Sequence, residues 1–348
     1  KRLLIVGSGL SGICVAHTAI QYDFDITITS NPNLSNCSKI AAGIWNPIVF
    51  KRLTKSWNID DALPKLNSFY ASIETLLGIS IAKERKIIKP LNTEEQKLWN
   101  KKQNELNNYI SPVKNNDGIN YTDYQINKHY GEVLNSGNIN LPILLEASLN
   151  YFKREFTFQE ENFDYRELTV FDTLSYKNYS YDYVIFCEGY LVKNNPWFNY
   201  IPLKPVKGEV LEIESENLKP LNDIVNHNGF ILALENNKFK VGATYNWDDL
   251  TENPTEEGKS TLEKIINRLI DKPYSITKHA AGVRPSSIDR RPVIGPHPKH
   301  KNLFVFNGMG TKGVMLAPLM AEHLFNYICK AETIPEEVNV ARFNDKLI

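Results

Sequence analysis

Three features are scarce in this sequence, and each scarcity argues against a class of protein. Lysine and arginine together number 40, as do aspartate and glutamate, so no excess of positive charge is present to hold a nucleic acid. The four cysteines, Cys14, Cys37, Cys187 and Cys329, lie far apart without a CxxC pair, which argues against a disulfide framework or a zinc site. No apolar run approaches the roughly 20 residues of a membrane-spanning helix.

The remaining composition is that of a compact globular chain. Its 348 residues are enough for one large domain or two ordinary ones. The chain enters a strand almost at once, without a charged leader followed by an apolar run, so we expect a cytoplasmic protein with reduced, buried cysteines. The seven histidines are scattered and lack the spacing of metal ligands, so no metal site is predicted.

The first motif is LLIVGSGLSG, an apolar strand that continues through three glycines into a helix. This order is typical of a dinucleotide fingerprint. The first glycine permits a tight turn, the second lets the backbone approach a diphosphate, and the third lets helix and strand pack closely. The helix N-terminus adds amide donors for the phosphates. The predicted nucleotide contacts here are Gly7, Ser8, Gly9, Leu10, Ser11 and Gly12.

The end of the next strand departs from that fingerprint. Strand 25–29 is followed by Ser30 and Asn31, where an acidic residue normally binds the ribose. Serine and asparagine offer only neutral hydrogen bonds, which are weaker than those of a carboxylate. Both residues are predicted cofactor contacts. The identity of the group that replaces the missing acid stays open.

Two hydrophobic patterns alternate along the rest of the chain. One pattern is that of helices around a parallel sheet. It includes helical spacing at 60–77 and 141–153 and an apolar strand at 181–189. Residues 204–282 alternate as in an antiparallel sheet, with one helix near 256–270. We therefore predict an α/β plus α+β fold, in which a Rossmann-like nucleotide-binding domain with a parallel sheet is interleaved with an antiparallel-sheet substrate domain. The predicted limits are 1–85, 141–203 and 283–348 for the first domain and 86–140 and 204–282 for the second.

Six stretches carry a resemblance to a known family. They are SKIAAGIWNP (38–47), YDYVIFCEG (181–189), PVKGEVL (205–211), KVGATY (240–245), AAGVRPSSIDRRPVIGPHP (280–298) and NGMGTKGVMLAP (307–318). In this order the chain resembles the FAD-dependent D-amino-acid oxidase, glycine oxidase and sarcosine oxidase superfamily. GATY followed by GTKGVMLAPLMAE is similar to the C-terminal oxidase domain of the bacterial bifunctional enzyme that modifies the wobble uridine of tRNA. The resemblance implies a noncovalently bound FAD.

The resemblance also implies which residues meet the flavin. The small residues of loop 38–44 would leave room for the flat ring, and the amides of about 310–314 would point at its N1 and O2 side. The further predicted cofactor contacts are Ser38, Ala41, Ala42, Gly43, Ile44, Gly189, Arg284, Gly308, Gly310, Thr311, Lys312 and Gly313.

The implied reaction is hydride transfer to the flavin from the carbon next to an amine, followed by hydrolysis of the imine. Arg284 matches a family arginine that clamps a substrate carboxylate, with a structural salt bridge as the alternative. Glycine oxidases carry another arginine where this chain has Thr311, so Lys312 is either a point charge near the flavin or a solvated lysine. Tyr245 and Trp247 are pocket walls or core residues. The predicted catalytic residues are Arg284, Lys312 and Tyr245.

For two other sets of residues a structural role is favoured over a functional one. Lys51, Arg52, Lys55 and Trp57 line the substrate mouth or form a solvated turn, and His279 is expected to have a hydrogen-bonded structural role.

Four functions stay open at this point. The first is oxidation of a small amine or amino acid, and the second is oxidation of a carboxymethylaminomethyl group on a tRNA uridine, which the balanced charge disfavours. The third is an NAD-dependent dehydrogenase, and the fourth is a flavin-binding protein without turnover. The electron acceptor and the oligomeric state also stay open.

Overall fold

The computed structural model describes residues 1–31, 37–116, 121–126, 128–171 and 173–346. The helices are α1 Leu10–Gln21, α2 Cys37–Ile40, α3 Ile59–Leu77, α4 Thr93–Lys102, α5 Leu141–Glu155, α6 Glu256–Leu269 and α7 Gly313–Lys330, and the 3₁₀ helices are Tyr165–Glu167, Gly189–Asn194 and Val340–Lys346. The strands are β1 Arg2–Val6, β2 Asp25–Thr29, β3 Ile44–Trp45, β4 Ile48–Val49, β5 Thr54–Lys55, β6 Ala82–Glu84, β7 Ile87–Pro90, β8 Lys114–Asn115, β9 His129–Val133, β10 Gly137–Ile139, β11 Thr157–Gln159, β12 Leu168–Val170, β13 Leu174–Tyr176, β14 Tyr179–Ser180, β15 Tyr183–Phe186, β16 Val206–Glu214, β17 Ile224–Asn226, β18 Phe230–Ala233, β19 Lys238–Gly242, β20 Ser275–Arg284, β21 Val293–Pro296 and β22 Leu303–Asn307.

A six-stranded sheet in the order β11-β2-β1-β15-β22-β21 carries the nucleotide-binding motif. Its first five strands are parallel, and β21 pairs antiparallel with β22. β1, β15 and β22 are short apolar runs because both faces of this sheet are covered. Side chains of α1, α3, α5 and α7 pack together in the largest core cluster, and a second cluster covers the opposite face. The predicted Rossmann-like layer is confirmed.

An eight-stranded sheet in the order β20-β16-β19-β18-β17-β7-β9-β8 forms the second layer. α6 packs against it and buries Leu262, Ile265 and Ile266. The sheet is antiparallel as predicted except between β7 and β17, which run parallel. These two strands come from distant segments of the chain, so no hairpin turn imposes an antiparallel direction on them.

The segment between β7 and β9 is more regular than its hydrophobic pattern indicates. It contains α4, whose first turn is a capping box between Asn92 and Glu95. Trp99 fixes the helix to the sheet, because it is buried and its Nε1 donates to the carbonyl of Ser111 at 2.8 Å. The sequence signal for this helix is the Asn-x-x-Glu spacing, which hydrophobic periodicity alone does not reveal.

A three-stranded sheet in the order β3-β10-β6 crosses the predicted domain limits. β10 belongs to the segment 86–140 assigned to the substrate domain, yet it pairs with two strands outside that segment. The division of the chain into two domains with those limits stays a prediction.

The cysteines are less uniformly buried than expected. Cys14 and Cys187 are buried, Cys37 is partly buried, and Cys329 is exposed near the end of α7. All four are free thiols. Among the described residues, no helix has both the length and the apolar character needed to cross a membrane.

Candidate functional site

A cavity of about 680 Å³ lies where the two large sheets meet. The six-stranded sheet contributes the turn after β1, the residues after β2 and the residues after β15. The eight-stranded sheet contributes side chains from β16, β17, β18 and β20. Ligands of parallel α/β sheets bind at the carboxyl ends of the strands, and the cavity opens at that edge.

The GSGLSG turn forms one part of the cavity wall. Gly7 has φ +103°, and a Cβ there would lie 2.6 Å from the carbonyl oxygen of Cys187. A Cβ on Gly12 would overlap the carbonyl oxygen of Gly7. The turn therefore requires glycine at both positions. The N-cap of α1, Gly9, provides no side-chain cap, and the hydroxyl of Ser38 accepts a hydrogen bond from the amide of Leu10 at 3.1 Å.

The position of the missing acid contains a pair of hydroxyl groups. Ser8 donates to Ser30 with 2.8 Å between the two Oγ atoms, and both residues line the cavity. Asn31 donates through Nδ2 to Oδ1 of Asn162 at 3.1 Å. Glu161, the residue before Asn162, also lines the cavity and is paired with Lys177 at 2.6 Å, so this end of the cavity is polar.

Replacing Ser30 with alanine is expected to weaken binding of the FAD that the resemblance implies by less than about tenfold, because only a neutral hydrogen bond is lost. The dissociation constant of FAD, measured by fluorescence quenching on the apoprotein, checks this expectation. A loss of 100-fold or more would show instead that the hydroxyl pair is an essential ribose contact.

The N-terminus of α7 forms another part of the cavity wall. Gly310 has φ +54°, and α7 begins after Lys312 without a side-chain cap. The first amides of a helix have no partner within the helix, so those of Gly313 and Val314 are available to an acceptor in the cavity. Loop 41–44 lies on the same cavity, and a Cβ on Gly43 would overlap the carbonyl oxygen of Ile139.

Arg284, the last residue of β20, brings a partly buried cation to the cavity. Its Nη1 donates to the carbonyls of Thr244 at 3.2 Å and Lys207 at 3.4 Å, and its guanidinium lies 4.7 Å from the centre of the Tyr245 ring. In the described part of the chain no carboxylate pairs with it. Burial lowers the pKa of the guanidinium from its ordinary value, while Tyr245 and Cys37 act in the opposite direction.

Gly208 makes room for this arginine. β16 and β20 pair so that Val206 lies opposite Arg284, and a Cβ on Gly208 would overlap the guanidinium group. The glycine of the PVKGEVL stretch is therefore a requirement of the Arg284 conformation.

The other two predicted catalytic residues also line the cavity. Burial and the positive charge of Arg291 lower the pKa of the Lys312 ammonium. Tyr245 is 56% exposed and stacks on Trp247, which is 52% exposed, with 6.2 Å between ring centres. This aromatic pair extends from the cavity to the protein surface.

The predicted cofactor residues fall into two groups. Most of them line the cavity, namely Gly7, Ser8, Gly9, Leu10, Ser11, Ser30, Asn31, Ser38, Ala41, Ala42, Gly43, Ile44, Gly189, Arg284, Gly310, Thr311, Lys312 and Gly313. Gly12 and Gly308 lie behind the wall, where a Cβ on Gly308 would come within 3.0 Å of the Arg291 carbonyl oxygen. These two glycines shape the backbone of the turns, and the assignment of contacts to the whole set stays a prediction.

Sequence reasoning missed several residues of the cavity. Phe163 and Tyr165 line it close to Asn162, and Glu188 lies immediately before the predicted contact Gly189. No motif marks Phe163 or Tyr165. Glu188 is part of the YDYVIFCEG stretch, and a carboxylate directly after an apolar strand is the signal that was available.

The remaining candidates have structural partners. Lys55 pairs with Asp60 at 2.8 Å, and Trp57 donates to Glu337 at 2.9 Å. His279 Nε2 lies 2.7 Å from a carboxylate oxygen of Glu209. Within the described residues no cluster of three or more histidine, cysteine, aspartate or glutamate side chains is placed to hold a metal ion.

Lys207 anchors the chain that follows Tyr245. Its side chain is fully buried, its ammonium is bonded to Asp249, and it donates to the carbonyl of Asn253 at 2.6 Å. Glu209 lies 3.9 Å from the same ammonium. The hydrogen bond from Lys207 lowers the pKa of the Asp249 carboxyl to about 2.

Replacing Lys207 with methionine is expected to lower the free energy of unfolding by about 3 kcal/mol, because Glu209 and the Asn253 carbonyl lose their buried partner. Urea unfolding of the apoprotein measures the loss. Lys278→Met on the exposed side of β20 is the matched control and should stay within about 0.5 kcal/mol of the wild type. Equal effects of the two substitutions would contradict the anchoring role.

Comparison with known proteins finds relatives of part of this chain. Residues 157–326 match the family model described as DAO, FAD dependent oxidoreductase. A bifunctional protein of tRNA 5-methylaminomethyl-2-thiouridine biosynthesis, MnmC from Shewanella sediminis, is 30% identical over 176 residues, which cover 39% of this chain and 24% of that protein. Glycine oxidase from Bacillus subtilis is 24% identical over 144 residues, which cover 41% of this chain and 39% of that protein. The matches therefore span well under two thirds of the curated relatives.

A solved structure extends the likeness to nearly the whole chain. Glycine oxidase from Geobacillus kaustophilus superimposes with a TM-score of 0.79 and 20% identity and covers 98% of both chains, so the two share a fold. Residues 157–326 are therefore similar to the FAD-dependent oxidoreductases of the DAO family. The resemblance inferred from the six motifs is confirmed, and the cofactor of this family is FAD.

The cavity fits that cofactor. The glycine turn and the first turn of α1, where the N-cap Gly9 has no side chain, suit a diphosphate. The start of α7, which has no side-chain cap, suits the electron-rich edge of the flavin ring. Both regions line one continuous cavity of about 680 Å³. Ser8, Ser30 and Asn162 offer neutral hydrogen-bonding groups to the ribose end.

Proposed function

We propose that this protein oxidises the C–N bond of a small amine that carries a carboxylate, such as an amino acid. The observation that carries this proposal is Arg284, a partly buried guanidinium that lines the FAD cavity and has no carboxylate partner among the described residues. A buried charge without a counter-ion is costly, and a substrate carboxylate compensates for it.

The surroundings of Arg284 suit a small substrate. Two backbone carbonyls and the Tyr245 ring hold the guanidinium in one orientation, which leaves its other N–H groups for a bidentate contact with a carboxylate. Apolar side chains of the eight-stranded sheet line the same cavity; they are Ile87, Val210, Ile224 and Phe230.

The chain's own residues contribute binding and orientation. FAD, when bound, supplies the two-electron acceptor for the substrate C–H bond. Arg284 fixes the carboxylate end of the substrate, so the carbon next to the amine has a defined position in the cavity. Lys312 adds a second positive charge on the cavity wall. The oxidised product is an imine, which water converts to a carbonyl compound and a free amine.

A reductive titration tests the proposal. Under anaerobic conditions, glycine, sarcosine, proline and several D-amino acids are added to the FAD-loaded protein while the visible flavin absorbance is followed. Bleaching by a carboxylated amine, and not by the matching amine without a carboxylate, supports the proposal. Equal bleaching by both would show that Arg284 does not bind the substrate carboxylate.

A second candidate is oxidation of an amine on a modified nucleoside of tRNA. The exposed, stacked pair Tyr245 and Trp247 supports it, because exposed aromatic rings beside a cation provide a platform for a nucleobase. The likeness to MnmC points the same way. Bleaching by a carboxymethylaminomethyl uridine, with no bleaching by free amino acids, would favour this candidate over the first.

A further inference from the structure

Glu188 is a carboxyl group of the FAD cavity that the proposed function does not use. It follows β15, the strand that neighbours β1, and it lines the cavity. The residue before it, Cys187, has its carbonyl oxygen against the glycine turn at Gly7. Glu188 therefore lies at the nucleotide part of the cavity, beside the turn that suits the diphosphate.

The partners of Glu188 are neutral. Tyr165 OH is bonded to Oε1, and Asn195 donates through Nδ2 to Oε2 at 2.8 Å. The orientation of the Asn195 amide is fixed, because its Oδ1 accepts the backbone amides of Trp197 at 2.9 Å and Phe198 at 3.1 Å. Asn195 is itself fully buried, so the carboxyl group is held rigidly.

The charged and titratable neighbours of Glu188 are few. Among the described residues they are Tyr165 from the 3₁₀ helix Tyr165–Glu167 and the thiol of Cys187 beside it in the chain. No lysine, arginine or histidine of the described residues faces the carboxyl group. Burial raises the pKa of Glu188 to about 7, against the opposing hydrogen bonds from Tyr165 and Asn195.

A diphosphate next to Glu188 would raise the pKa of its carboxyl group further. FAD would bring two negative charges to the glycine turn, and it would displace water from the cavity that Glu188 lines. Both effects disfavour the carboxylate and favour the neutral acid. A neutral carboxylic acid also has an O–H to donate, which suits phosphate or ribose oxygen atoms.

We propose that Glu188 takes up one proton from solvent when FAD binds, so that the retention of the cofactor is controlled by pH through this single carboxyl group. The inference concerns cofactor binding and is independent of the substrate proposed above. Its sign follows from linkage: binding consumes a proton, so FAD binds more weakly as the pH rises above the pKa of Glu188 in the apoprotein.

The test is the dissociation constant of FAD, measured on the apoprotein by fluorescence quenching between pH 6 and pH 8.5. For the wild type we expect a nearly constant value at the acid end and a weakening approaching about tenfold per pH unit above neutrality. Glu188→Gln should bind FAD with a constant affinity over the whole range. Glu167→Gln is the matched control, because it removes an exposed carboxyl group from the same 3₁₀ helix as Tyr165 and should keep the wild-type profile.

Three outcomes would overturn the proposal. They are a wild-type affinity that does not change with pH, an affinity that increases with pH, and a Glu188→Gln variant that keeps the wild-type slope. Should the variant fail to fold, calorimetry of the wild type at pH 8 in two buffers of different ionisation enthalpy decides. Uptake of about one proton per FAD supports the proposal, and no uptake contradicts it.

Discussion

Replacing Gly12 with alanine is expected to yield a protein that no longer retains FAD. The added Cβ would overlap the carbonyl oxygen of Gly7, which is backbone and cannot rotate away. The turn must then open, and the α1 amides move from the position that suits the diphosphate. Such an overlap costs about 2–3 kcal/mol, which corresponds to a decrease of roughly 100-fold in FAD affinity.

The measurement is the flavin absorbance of the purified variant, followed by titration of its apoprotein with FAD. Gly78→Ala is the control. Gly78 also has a positive φ, +65°, at the C-terminus of α3, but nothing lies within 4 Å of the added Cβ. That variant should lose about 1 kcal/mol of stability and keep its FAD. Full FAD occupancy in the Gly12→Ala variant would contradict the role assigned to the turn.

Replacing Arg284 with alanine is expected to lower kcat/KM for a carboxylated amine by about 10- to 150-fold. A bidentate, charge-assisted contact contributes roughly 1.5–3 kcal/mol, and the whole of it is lost. An amine without a carboxylate should be oxidised equally well by the variant and the wild type, because the lost contact concerns the carboxylate alone.

The controls separate this effect from damage to the fold. Lys278→Ala removes an exposed cation from the same strand and should leave kcat/KM unchanged. Arg284→Lys keeps the charge but loses the fork geometry, so we expect an intermediate value. A uniform decrease for carboxylated and uncarboxylated amines alike would indicate that Arg284 supports the structure instead of binding substrate.

The nucleotide half of the site was the part most accessible from sequence. The turn from Gly7 to Gly12 is a local motif, because Gly7 and Gly12 are required by contacts within the turn or with the residue that follows the adjacent strand. The apolar strands β1, β15 and β22 were recognisable because a parallel sheet buried on both faces needs continuous apolar runs. The helix α4 was missed because its signal is a capping box in a polar segment.

The substrate half could not be derived in the same way. Whether Arg284 has a carboxylate partner depends on which side chains surround the end of β20, and that is set by the pairing of β16 with β20. The requirement for Gly208 follows from the same pairing. Glu188 gains its importance from Tyr165 and Asn195, whose contact with it is a property of the fold and not of a motif.

The most direct test of the central claim is the rate of anaerobic flavin bleaching by sarcosine compared with dimethylamine, which lacks the carboxylate. A cavity that binds FAD and clamps a substrate carboxylate through Arg284 predicts rapid bleaching by the carboxylated amine, little by its counterpart, and loss of that difference in Arg284→Ala. If glycine, proline and the D-amino acids are tried in place of sarcosine, the same contrast should hold for whichever is the substrate. A yellow protein that no carboxylated amine reduces would contradict the claim.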